Sequence, residues 1–155
     1  MGAEEEILVQ IRRPFDQSSD AVYAAWTDRE IVRRWLFVSP TNEILDVRIE
    51  PHAGGLFCVD ELSHRQCIEH WGRFTKVEPP HRLAFTLNVP KHFHGEAQID
   101  IEIEDEGQGC RLTFTQTRAA PVKAEETWRG MLDALARMLR GQPAYDENTD
   151  EGNIT

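Results

Sequence analysis

Pro121-Val122-Lys123-Ala124-Glu125-Glu126-Thr127-Trp128-Arg129-Gly130-Met131-Leu132-Asp133-Ala134-Leu135-Ala136-Arg137-Met138-Leu139-Arg140 is the stretch around which the rest of the chain is organised. Val122, Trp128, Met131, Leu132, Leu135, Met138 and Leu139 recur at spacings of three and four, so they share one stripe of a helix. Glu125, Glu126, Arg129, Asp133, Arg137 and Arg140 fall mostly on the other side. Pro121 suits a first helical turn, the glutamates lie toward the positive end of the macrodipole and the arginines at the negative end, and Gly141 supplies the stop. One helix cannot bury such a stripe alone. Nearly everything between Glu43 and Thr117 reads as strands, which makes its partner a concave sheet.

Working outward, the period upstream is two. Ala97 to Glu104 is the clearest strand, with Ile99, Ile101 and Ile103 alternating with Gln98, Asp100, Glu102 and Glu104. Glu106-Gly107-Gln108-Gly109 turns into a last strand, Arg111 to Thr117. Earlier, Ile44 to Glu50 and Leu56 to Leu62 flank a sharp turn or bulge at Gly54-Gly55. Ile68 to Val77 and Arg82 to Val89 form a hairpin around Glu78-Pro79-Pro80-His81. A first strand runs from Glu6 to Arg13 and is ended by Pro14. Two short helices follow it, one capped by Ser18 or Ser19 and carrying Val22, Ala25 and Trp26, the other capped by Asp28 and carrying Ile31, Val32 and Trp35. The expected fold class is α+β, a meander of antiparallel strands wrapped on the C-terminal helix.

At 155 residues and 40% hydrophobic content, the chain is sized for one globular domain, expected over 6–141. Residues 142–155 are acidic, poor in apolar side chains and expected to be disordered. No apolar run of about 18 residues exists, and Met1-Gly2-Ala3-Glu4-Glu5-Glu6 lacks the basic start and apolar core of a secretory signal. A cytoplasmic location is expected. A formal net charge of −10 opposes phosphate backbones and anionic lipid, so neither nucleic acid nor membrane is an expected partner. Cys58, Cys67 and Cys110 form no CxxC pair and no disulfide framework, and Cys58 and Cys110 read as small buried hydrophobes.

Several further pieces give the chain a likeness. They are Ile11-Arg12-Arg13-Pro14-Phe15, Val22-Tyr23-Ala24-Ala25-Trp26-Thr27-Asp28, Trp35 before Pro40, Gly54-Gly55-Leu56-Phe57, Gly72 through Leu83, Cys110 through Gln116, and Trp128 with Leu132 and Leu135. Together and in this order, the chain resembles the SRPBCC (START-related, helix-grip) superfamily, in the branch of the activator of the heat-shock chaperone ATPase. The resemblance implies a curved antiparallel sheet gripping the C-terminal helix, with a cavity that in many members holds apolar or aromatic small molecules. It carries an architecture and no reaction. Two departures stand out. Relatives often have an arginine near the double glycine, where this chain reads Glu50-Pro51-His52-Ala53-Gly54-Gly55, so His52 stands in for a guanidinium. The path from Trp35 to Pro40 is also longer, and its Leu36-Phe37-Val38 either lines a pocket mouth or meets a partner.

No G-x-S-x-G, HExxH, P-loop or GxGxxG motif is present, so any chemistry must come from residues dispersed on strands. The meander brings His64, Cys67, His70, His92 and His94 to one end of the sheet. A metal set of His64, Cys67, His92 and His94 is conceivable there. Against it, His92-Phe93-His94-Gly95 reads as a loop and solvated rim histidines need no ligand, so no metal or other cofactor is expected. The favoured reading is a small apolar or aromatic ligand lined by Phe57, Trp71, Phe85, Trp128, Met131, Leu132 and Leu135, with His52, His70 or Arg73 supplying polarity. The alternative is a cyclase- or hydratase-like enzyme that uses His52, His70 or Arg73 with Glu61 or Glu69 as acid and base, although both glutamates read as solvent-facing. A third is a partner-binding module. The eukaryotic activators carry a second domain beside this type, so a chaperone partner is not expected here, while edge strands leave a homodimer open.

Overall fold

The computed structural model describes residues 6–145. In chain order the elements are β1 (Ile7–Phe15), α1 (Ser19–Thr27), α2 (Arg29–Trp35), β2 (Glu43–Ile49), β3 (Leu56–Ser63), β4 (Gln66–Glu78), β5 (Arg82–Leu87), β6 (Ala97–Glu106), β7 (Gly109–Thr117) and α3 (Ala124–Leu139). The strands form one seven-stranded sheet in the order β1-β7-β6-β5-β4-β3-β2, with every neighbouring pair antiparallel. This is the α+β helix-grip architecture: a meander from β2 to β7, with β1 returning beside β7 and the helices on the concave face.

Strand parity separates the two faces. Phe57 and Val59 of β3, Ile68 and Phe74 of β4, Phe85 and Leu87 of β5, and Ile99, Ile101 and Ile103 of β6 are buried. Between them, Trp71, Arg73, Asp100 and Glu102 point to solvent. Cys110 is buried, but Cys58 is half-buried on the outer side because it alternates with Phe57 and Val59. Gly72 lets β4 approach β5, since a Cβ there would stand 1.9 Å from the Thr86 carbonyl oxygen. Gly54 takes the turn between β2 and β3 at a φ of +84°.

Pro14 does not end β1. It sits inside the strand opposite Arg111, and the strand runs on to Phe15. β1 is an edge, where a missing N–H removes no bond to an outer neighbour. The helix caps follow their chemistry: the Ser18 hydroxyl accepts from the Ala21 N–H at 3.2 Å and the Asp28 carboxylate from the Glu30 N–H at 2.9 Å.

α3 begins later than the hydrophobic spacing implies. Pro121, Val122 and Lys123 form a turn, with the Ala124 N–H reaching the Pro121 carbonyl at 3.1 Å, so Val122 lies ahead of the buried stripe and is fully exposed. The stripe comprises Ala124, Trp128, Met131, Leu132, Ala134, Leu135 and Ala136. Gly141, at φ +81°, closes the helix: its N–H bonds to Met138 and the next N–H, of Gln142, to Arg137. Arg13 clamps Asp133 at 2.6 Å, fixing α3 to β1. Of the tail expected to be disordered, residues 146–155 lie outside the described residues. Pro143 and Tyr145 remain close to α3, the former accepting from Arg137 at 3.0 Å.

Candidate functional site

A cavity of about 520 Å³ opens between the inner face of β3 to β5, the linker after α2 and the N-terminal half of α3. Its walls are mostly apolar, from Phe37, Leu87, Val89, Phe93, Trp128 and Met131; Asn42, Glu61, His70, His92 and Gln116 bring polar groups to it, and Ser39, Lys123, Glu126 and Thr127 add more. Tyr145 also lines it, and burial raises its phenol pKa.

The linker makes the mouth. Leu36 is fully buried in the core, whereas Phe37 turns back over the cavity at a φ of 60°, in the left-handed region that a bulky residue rarely adopts. Such a conformation costs about 1–2 kcal/mol and persists only where neighbours hold it. Three neighbours do so. The Phe37 N–H points at the Met131 sulfur at 3.3 Å, its carbonyl accepts from Asn42 Nδ2 at 2.7 Å, and its ring stacks on His70 with centroids 3.7 Å apart. The same Asn42 amide also donates to Glu61 Oε2, while its oxygen accepts from the Ser39 N–H at 2.9 Å. One side chain therefore joins the linker to the sheet.

Glu61 and His70 face each other across β3 and β4, both buried, with His70 Nε2 3.4 Å from Glu61 Oε1. His70 Nδ1 stands 3.1 Å from the Val59 carbonyl, which can only accept, so Nδ1 carries the proton of the neutral ring. Burial pushes the His70 pKa down from 6.5 to about 4; the Val59 hydrogen bond opposes this and His92 adds to it. At neutral pH the ring is uncharged and turns a lone pair toward the carboxylate. His92 reaches the same place from the turn after β5, held by its N–H to the Val89 carbonyl at 2.8 Å. Gln116 closes the far wall, accepting from the Trp128 indole at 3.0 Å and donating to the Ala119 carbonyl at 2.8 Å.

With that geometry in view, residues 16–140 match the family described as Activator of Hsp90 ATPase homolog 1-like protein. The chain belongs to this family. No curated protein matches it in sequence. Among solved structures it is similar to a protein from Rhodobacter sphaeroides (24% identity, TM-score 0.75, covering 85% of this chain and 91% of that one). It is also similar to one from Chromobacterium violaceum (19% identity, TM-score 0.76, 84% and 94% covered). An AHSA1-like protein from Aeromonas hydrophila is 24% identical, with a TM-score of 0.73 over 86% of this chain and 93% of that one. At these identities the likeness carries the fold. The SRPBCC resemblance and the helix-grip architecture expected from the sequence are thereby established.

Within this Hsp90-activator-like fold, the residues singled out in the sequence separate into three groups. Trp128 and Met131 line the cavity, as does His70 among the three candidates for polarity. Phe57, Phe85, Leu132 and Leu135 are fully buried in packed core and are not among the residues that line it. Trp71, His52 and Arg73 are elsewhere. Trp71 is 43% exposed on the outer face, because its neighbour His70 takes the inward parity of β4. His52 is exposed in the β2–β3 turn, and Arg73 is exposed and donates to the Gly54 carbonyl at 3.0 Å. Of the metal candidates, His92 reaches the cavity, while His64, Cys67 and His94 are exposed and outside it. Glu69 is exposed as expected, but Glu61 is not. Phe57, Val59 and Glu61 share one parity, and that alternation was the signal for an inward carboxylate. Gln116 was marked in the same way, by its shared parity with Leu112 and Phe114 on β7. Asn42, in an irregular linker, carried no comparable signal.

Among the described residues no helix is long and apolar enough to cross a membrane.

Proposed function

We propose that the chain binds a small apolar or aromatic molecule in the cavity under Phe37, with the flat part of the ligand between Phe37, Trp128 and Met131 and a polar atom toward Glu61 and His70. The observation that carries this reading is the combination at one place of about 520 Å³ of space, an apolar wall and a few converging polar groups. Such a volume lies within the range of small-molecule pockets, roughly 300–1,000 Å³, and that division of labour between wall and polar groups is how they recognise ligands. The Trp128 indole is already bonded to Gln116, so it offers the ligand a face rather than a donor. The buried donors and acceptors, Glu61 and His70, come from β3 and β4.

Naphthol, a flat aromatic with one hydroxyl, is a suitable probe. Added to the labelled full chain and followed by heteronuclear NMR, it should shift the Trp128 indole resonance saturably, while the Trp71 indole on the outer face stays still. Native mass spectrometry of the purified protein then looks for a natural occupant. Shifts confined to Trp71, or none at Trp128 up to the solubility limit of naphthol, would remove the reading.

A further inference from the structure

Glu61, His70 and His92 come from β3, β4 and the turn after β5, yet their ligating atoms all lie within 4.8 Å of one another. We infer that these three side chains form a binding site for a divalent transition metal ion, zinc foremost, whose remaining coordination positions face the cavity. With metal–ligand bonds of about 2.0–2.1 Å in a tetrahedral arrangement, ligand atoms stand roughly 3.3 Å apart. His70 Nε2 and Glu61 Oε1 stand 3.4 Å apart. They are thus placed as two ligands of one ion before any ion is added.

The pair is also incomplete by itself. His70 is only 3% exposed, and with the Nδ1 proton committed to the Val59 carbonyl its Nε2 offers a lone pair to a carboxylate oxygen that offers another. Two buried acceptors face to face call for a cation between them. The Val59 carbonyl plays the part that an outer partner plays for a metal-bound histidine, setting the tautomer and the ring orientation. Asn42 does the same for Glu61 by holding its other oxygen. The third ligand is the adjustable one: His92 is exposed at the rim, so a rotamer change can draw its ring toward the other two. Two imidazoles and one carboxylate suit zinc or a neighbouring metal of similar softness, and three protein ligands leave a position open to the cavity.

The test needs no organic ligand, so it stands or falls apart from the naphthol experiment. Full chain without a histidine tag, stripped with EDTA and dialysed, is titrated with zinc chloride by calorimetry and with cobalt(II) followed by visible absorption. One equivalent should bind with micromolar or tighter affinity, and cobalt should give the absorption of a low-symmetry four- or five-coordinate site. His92→Ala, at an exposed position that does not threaten folding, should weaken binding at least tenfold, and Glu61→Gln should do the same. His94→Ala, two residues away and outside the cluster, should leave affinity unchanged. The inference is overturned if no stoichiometric zinc binding occurs, or if His94→Ala weakens it as much as His92→Ala, which would mark ordinary surface histidines.

Discussion

The concave face carries two aromatic regions separated by one side chain. On one side of Trp128 lie Trp26, Trp35, Phe57, Phe85 and Phe114, all fully buried, with Trp26 and Trp35 edge to face at 4.8 Å and Phe57 stacked on Phe85 at 4.4 Å. On the other side Phe37 meets Trp128 at 5.8 Å and His70 at 3.7 Å, and the space beyond is the cavity. Residue types are similar in both; what differs is the cover. α1 and α2 cover the closed region, and a capped helix satisfies its own backbone, so the interior there can be dry. The linker 36–42 covers the open one, and irregular backbone needs side-chain partners. Asn42 meets that need, and through it the linker reaches the buried Glu61.

The comparison is broken most readily by truncation on each side. Phe85→Ala should lower stability by about 3–5 kcal/mol, the transfer and cavity terms of a large core side chain. Met131→Ala lines a space that already exists, so little new cavity forms and the loss should be about 1–2 kcal/mol. Urea denaturation of both variants gives the ratio. Equal losses would make the pocket ordinary core and end the distinction.

Acid should sharpen it next. His70 is held at about 4 against 6.5 for the free side chain, so between those values the unfolded chain binds the extra proton. The sign follows: this contribution is complete above about pH 6.5 and is lost as pH falls toward 4. Its slope is at most about 1.4 kcal/mol per pH unit and its total roughly 3 kcal/mol. The charged or titrating groups facing the ring are Glu61 and His92. Urea midpoints of wild type and His70→Leu, measured in EDTA across that window, should fall more steeply with acid in the wild type. Parallel curves would show that the ring titrates alike in both states. Phe85 lies among aromatic side chains that do not titrate in this window, Trp26, Phe57 and Phe74, so Phe85→Ala should keep the wild-type slope.

Asn42→Ala removes a donor from both the Phe37 carbonyl and Glu61 and should destabilise by about 1–3 kcal/mol, as unsatisfied partly buried acceptors do. Asn42→Asp, nearly the same shape, should be worse, because it brings a second carboxylate against Glu61. Thermal melts at neutral pH rank the pair, and an Asp variant as stable as wild type would mean that the Asn42 amide is not what joins the linker to Glu61.

How much of this was legible in the sequence follows from where each signal is stored. The meander, the caps at Ser18 and Asp28 and the α3 stripe are local patterns, and local physics reproduces them. Val122 and Pro14 mislead because spacing alone reveals neither where a helix can first close its bonds nor that a strand lies at an edge. The chemistry of Trp71 suggests a cavity wall, but the parity that sends Phe74 inward sends Trp71 out. The same rule places Glu61 inward with Phe57 and Val59, against the general preference of carboxylates for water. The meeting of Asn42, Phe37 and Glu61 was not readable at all: it depends on how a linker folds back, and no period encodes that.

The smallest expected effect is the one that isolates the linker's strain. Replacing Phe37 removes the ring from His70 whatever follows, so the wild type is a poor reference for its backbone. Phe37→Ala and Phe37→Gly lose that ring alike and differ in the backbone. At an ordinary helical or strand position glycine is the less stable by roughly 0.5–1 kcal/mol, because it loses more freedom on folding. At the φ of 60° found here the order should reverse. Glycine adopts that region without a clash, so Phe37→Gly should be more stable than Phe37→Ala by about 1 kcal/mol, while both lose naphthol affinity together. A glycine variant less stable than alanine would mean that the linker relaxes out of the left-handed region once the ring is gone. The stacking on His70, rather than Asn42, would then be what sets the mouth of the pocket.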